Sequence, residues 1–150
     1  MRTFENLGEL QAAVGEVLGT SDWVTIDQAR IDQFAEATGD HQWIHVDSEK
    51  AAAGPFGTTI AHGYLTLSLL PMLTWGIYEV KGLAGALNYG LDKVRFPSPV
   101  PVGSKVRATA ELTSYDEVPG GGQATVTCTI EIDGAPKPAC VAATIVRFFG

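Results

Sequence analysis

Cysteine is scarce: Cys128 and Cys140 are the only two in 150 residues. That is too few for a disulfide-stapled secreted scaffold or a cysteine-built zinc site. Both are expected to be reduced, small, half-buried residues. Positive charge is also sparse. Ten Lys and Arg stand against 17 Asp and Glu, the formal net charge is −7, and the basic residues form no run. This pattern excludes nucleic acid and anionic membrane surfaces as expected partners, because phosphate recognition needs clustered Lys and Arg. Long apolar runs are missing. The most apolar stretch, residues 63–80, is interrupted by Pro71 and Gly76 and falls short of a bilayer span. The opening residues MRTFENLGEL lack the basic start and apolar core of a signal peptide, so the cytoplasm is the expected setting. No repeat or linker interrupts the chain.

What remains is a globular composition, 45% hydrophobic and 18% charged, long enough for one domain over residues 1–150. Leu7, Leu10 and Val14 place one apolar face on a short helix over residues 5–14. Residues 15–26 read as extended. Thr25 with Gln28 three residues later fits a capping box. Ile31, Phe34, Ala35 and Thr38 follow at i, i+3, i+4, i+7, one face of a helix that Gly39 should stop. Asp47 is placed to cap a short helix through SEKAAA. IAHGYLTLSLLPMLTWGIY is apolar almost all round, which predicts a central helix covered on most sides. Four extended stretches follow, near 83–95, 104–117, 122–133 and 138–149, with VPGGGQ and IDGAPKP as turns. The pattern is α+β: an antiparallel sheet curved around one buried helix.

Two stretches carry candidate chemistry. In ATGDHQWIH, residues 37–45, Asp40 and His45 are five apart. On a continuous helix they would diverge by about 140°, but a loop starting at Gly39 could bring them to one point. A carboxylate and an imidazole so placed can hold and polarise a water. The alternatives are capping or solvated side chains, and a metal site using His41 and His45, for which the chain offers no further ligand-spaced cluster apart from His62. In TTIAHGYL, residues 58–65, Gly63 stands at the predicted start of the central helix. An unpaired N–H there, with no Cβ in the way, suits an oxyanion hole. A plain helix start with His62 as a core histidine is the alternative.

Taken together these residues resemble a known family. FAEATGDHQWIHVDSEKA, residues 34–51, resembles the signature of MaoC-like, R-specific enoyl-CoA hydratases, with Phe34, Thr38, Gly39, Asp40, Ile44, His45 and Ala51 at the matching positions. AHGYLTLSLL resembles its second hallmark, a His-Gly opening the buried helix. VRFPSPVPVGSKVRA, residues 94–108, resembles its strand–turn–strand segment. Gln42 and Trp43 stand where the family has Asn-Pro, so a rigid turn is lost, although Gln42 can still orient a partner.

The resemblance implies a hotdog fold, a homodimer, and reversible hydration of a trans-2-enoyl-CoA to an (R)-3-hydroxyacyl-CoA. Asp40 and His45 would hold the water, and the Gly63 N–H would hold the thioester oxygen. No metal or other cofactor is implied beyond the coenzyme A thioester substrate. Gln42, His62, Tyr89 and Arg95 are the candidate substrate-binding residues, Tyr89 for the acyl tunnel. Lys93, Arg95, Lys105 and Arg107 are candidates for the CoA phosphates. A thioesterase on the same scaffold and a non-catalytic acyl-thioester-binding module are the competing readings.

Overall fold

A computed structural model of the protein describes all 150 residues. The long strands lie where alternation places them: β5 (Gly85–Arg95), β6 (Lys105–Val118), β7 (Gly121–Ile132) and β8 (Cys140–Phe149). With β2 (Val17–Thr20) they form one antiparallel sheet in the order β2-β6-β7-β8-β5, and β3 (Val24–Thr25) also pairs with β6. In β7 every second residue is buried, from Gly122 through Ala124, Val126, Cys128 and Ile130 to Ile132. This period-two pattern gives the strand one core face and one face of Gln, Thr and Glu turned outward.

The central helix lies against that core face. It is divided into α5 (Gly63–Ser68) and α6 (Leu70–Trp75). Pro71 supplies no N–H to the carbonyl one turn back, which explains a break at this point. Leu65, Leu69, Leu70 and Leu73 join one core cluster with Ala108, Ala110, Ala124, Val126, Cys128 and Ala142 of the sheet. Small residues on the concave face let the helix approach, while Ile31, Val106, Leu112 and Ile130, all fully buried, supply the bulk. Each such side chain contributes roughly 1.5–3 kcal/mol by leaving water. The helix is less covered than expected: Tyr64, Met72 and Trp75 are exposed.

Other expectations are corrected. The first helix, α1 (Leu7–Ala12), buries Leu10 but leaves Val14 outside and exposed. Thr25 belongs to β3, and α2 (Gln28–Thr38) is capped by Asp27, whose side chain accepts from Arg30 N. Thr38 is exposed and bonds back to the Phe34 carbonyl. Both cysteines are free and fully buried rather than half-buried; burial pushes each thiol up to about 11. The short parallel pair β1 (Arg2–Phe4) and β4 (Tyr78–Val80) has no three-residue signature in the sequence. No helix is long and apolar enough to cross a membrane.

Gly39 does stop α2. Its φ is 82°, in the left-handed region, and its N–H donates to Ala35 O at 2.8 Å. A Cβ added there would meet no atom within 4 Å. The cost of Gly39→Ala is therefore purely conformational, about 1–2 kcal/mol, and should appear as a Tm lowered by several degrees. An unchanged Tm would refute this role.

Candidate functional site

Beyond Gly39 the chain is directed by its own side chains. Asp40 Oδ1 accepts from Gln42 N at 3.3 Å, a local turn of the kind Asp favours. Gln42 is extended at ψ 139°, and the chain then enters a single helical turn, α3 (Trp43–Val46). Trp43 thus occupies the first helical position, where a proline is favoured but not required because that N–H has no helical partner anyway. A proline is therefore not needed to start this turn. The Trp43 ring packs so closely on Gly54 that a Cβ there would come within 2.9 Å of it, and Lys50 lies 4.8 Å from its centre. Asp47 caps the next helix, α4 (Ser48–Ala52), as expected.

His45 therefore sits on a helical turn rather than in an open loop. It is buried, and Nδ1 lies 2.7 Å from the Ile60 carbonyl. A carbonyl only accepts, so Nδ1 carries the hydrogen and Nε2 presents its lone pair. Nε2 has no protein partner and is not sealed off. The ring lines a cleft of about 320 Å³ together with Phe56, Gly63, Thr66, Phe96 and Val100. Three elements hold it. Gln28 Nε2 donates to the His45 main-chain carbonyl at 2.8 Å, and Gln28 Oε1 accepts from Thr59 Oγ1 at 2.6 Å. Ile60 N donates to Ile44 O at 3.0 Å. The Gln28 side chain, expected to close a capping box with Thr25, instead braces the histidine.

His62 completes the group. It is buried, its Nε2–H donates to the Asp40 main-chain carbonyl at 3.0 Å, and its ring stacks on His45 with centroids 3.8 Å apart. Polar side-chain atoms of Asp40, His45 and His62 all lie within 4.8 Å of one another. An imidazole binds a metal with its in-plane lone pair at about 2.0–2.1 Å. Two rings stacked 21° from parallel aim those lone pairs alongside each other rather than at one ion. The cluster therefore fits a proton-handling pair better than a metal centre.

Burial is the main reason that His45 is held below the ordinary 6.5. The Ile60 carbonyl pushes the other way, His62 lowers it further and Asp40 raises it. Its lowered pKa favours the neutral imidazole at neutral pH, the form a base needs.

Gly63 is the first residue of α5, so its N–H has no partner inside the helix, and no loop or cap bond takes it up. The close approach that needs glycine here is, within this chain, the Phe96 ring: a Cβ on Gly63 would come 3.2 Å from it. The other candidates fall elsewhere. His41 is exposed and 3.5 Å from Glu36. Asp40, His62 and Gln42 do not line the cleft. Tyr89 lines neither the cleft nor the cavity beside α5 and α6; the Arg147 guanidinium lies 3.6 Å from its ring centre. Arg95 is exposed beside Phe96, and bonds its neighbour's carbonyl. Arg107 is committed to Glu131 at 2.7 Å and to the Trp23 ring.

An imidazole and a free helix-start N–H on one cleft, with an acid within 4.8 Å of that imidazole, under a sheet wrapped on a helix, define a hotdog protein of the hydratase kind. The family described as MaoC like domain matches residues 9–133. The chain is 62% identical over 99% of both chains to 3-hydroxyacyl-thioester dehydratase Z of Mycobacterium tuberculosis. It is 45% identical to Nodulation protein N of Rhizobium leguminosarum over 95% of this chain and 92% of that one. Among solved structures, the (R)-hydratase from A. caviae involved in PHA biosynthesis superposes with a TM-score of 0.71 at 28% identity, over 87% of this chain and 95% of that one. The chain belongs to the MaoC-like family.

Because its folded value lies below 6.5, His45 stabilises the fold fully above that pH and progressively less as pH falls and the unfolded chain binds the proton first. A histidine NMR titration should give His45 a midpoint below 6.5 with the Nδ1–H tautomer above it. A midpoint at or above 6.5 would contradict this environment.

Proposed function

We propose that the protein catalyses the reversible addition of water to a trans-2-enoyl-CoA, giving an (R)-3-hydroxyacyl-CoA. The observation that carries this reading is the bare Nε2 of buried His45 on a cleft that also receives the start of α5, with a polar atom of the Asp40 side chain within 4.8 Å of the His45 ring. Water held between the two groups gives up a proton to the pair as its oxygen bonds C3. The pair returns a proton to C2, so no proton is gained or lost overall. Charge that develops on the thioester oxygen in between meets the Gly63 N–H, a donor fixed in place before the reaction. Hydration neither oxidises nor reduces the substrate, so this role asks for no redox group. Two buried free cysteines suit a cytoplasmic setting.

Asp40→Asn and His45→Ala should each lower the rate of crotonyl-CoA hydration, followed by absorbance, on the order of 10²-fold or more. Wild-type rates in both variants, or release of free thiol in place of hydration, would defeat the reading; the second result would indicate a thioesterase.

We further propose that the working form is a homodimer. Strand β5 is at the sheet edge with one side unpaired. Leu87, Tyr89 and Leu91 on it, and Tyr64, Met72 and Trp75 of α5 and α6, are exposed. A long edge strand with apolar side chains is a surface that soluble proteins cover. Light scattering should give twice the 15.9 kDa of the chain, and Leu87→Lys with Leu91→Lys should reduce it to the single mass. A monomeric wild type would rule this out.

A further inference from the structure

His62 lines no part of the cleft, yet it is 2% exposed and touches both members of the candidate pair. Its bond to Asp40 goes to the main-chain oxygen, so it restrains where the residue stands without occupying the carboxylate. Its ring covers one face of His45, at 3.8 Å, and its other neighbour is Phe34 at 4.9 Å. One nitrogen has a defined acceptor; the other, Nδ1, is the only buried side-chain polar atom in the protein without a partner. A buried unpaired acceptor is a standing cost to the fold. A phenylalanine would fill a similar space without that cost, so the position calls for a property of histidine that packing alone does not supply.

We propose that His62 is a positioning residue for the hydration reaction. Its Nε2–H anchors Asp40 just past the end of α2, so the carboxylate meets the imidazole and one water at a set separation. The sequence places His62 and Gly63 next to each other, which ties the anchored pair directly to the helix start that receives the thioester oxygen. The inference rests on the hydratase reading.

The test uses crotonyl-CoA hydration by the full-length protein. His62→Phe keeps a flat ring on His45 and removes the donor. His62→Gln keeps an amide N–H at the reach of Nε2 and removes the ring. His62→Phe should lower kcat on the order of tenfold or more, since small displacements of reacting groups are costly, with KM within about twofold because the cleft lining is untouched. His62→Gln should recover most of that loss. If His62→Phe does not fold, His62→Asn, whose amide is too short to reach the carbonyl, takes its place. In an Asp40→Asn background the same substitution should cost less than about threefold further, because a residue acting through Asp40 has nothing left to position. Equal kcat in wild type, His62→Phe and His62→Gln, or a raised KM at constant kcat, overturns the positioning role while Asp40→Asn still reports on the hydratase reading. A wild type that turns over no enoyl thioester overturns both.

Discussion

His45 donates from Nδ1 to the Ile60 carbonyl, and the rest of the site depends on that bond. It decides which nitrogen is bare, and hence that a base faces the cleft. It requires residues 59–61 to run between α3 and the segment near Val100, where Ile60 N reaches Ile44 O and Ala61 N reaches Val100 O. It also requires Gln28 and Thr59 to close the other side of the frame. A histidine in water would choose either tautomer and carry a proton part of the time. The Ile60 bond selects the tautomer, and burial shifts the balance toward the neutral ring.

The same frame brings a backbone feature to the chemistry. The chain leaves Ile60 and within three residues starts α5, so the element that fixes His45 also sets the position of the Gly63 N–H. The core of leucines under α5 and α6 and the small residues of the sheet then hold that helix start rigid. The proposed charge stabilisation thus draws on packing far from the cleft: a dipole works only if it need not reorganise during the reaction.

The structure also separates groups that sequence spacing had put together. His41 and His45 are four apart, but one is exposed beside Glu36 and the other is buried. Asp40 and His62 are 22 apart and bonded. Arg107, one of the candidate phosphate ligands, is spent on Glu131 and Trp23, neither of which is near it in sequence. Gln28 fits a cap by its place near a helix start, but a carbonyl and a hydroxyl from elsewhere in the chain, which no local pattern reveals, take up its side chain.

The sequence by itself determined the fold class, the four long strands within two residues, the stop at Gly39, the cap at Asp47, and Asp40, His45 and Gly63 as the residues to watch. Those features are local: period-two burial, a glycine that can take positive φ, a short acid before a helix, a motif. The helical turn that carries His45, its tautomer and depressed pKa, the stacked His62 and the Gln28 brace were decided only by tertiary structure. Each arises when a side chain is desolvated against groups 15 to 31 residues away, and no local pattern encodes which distant carbonyl will be its partner.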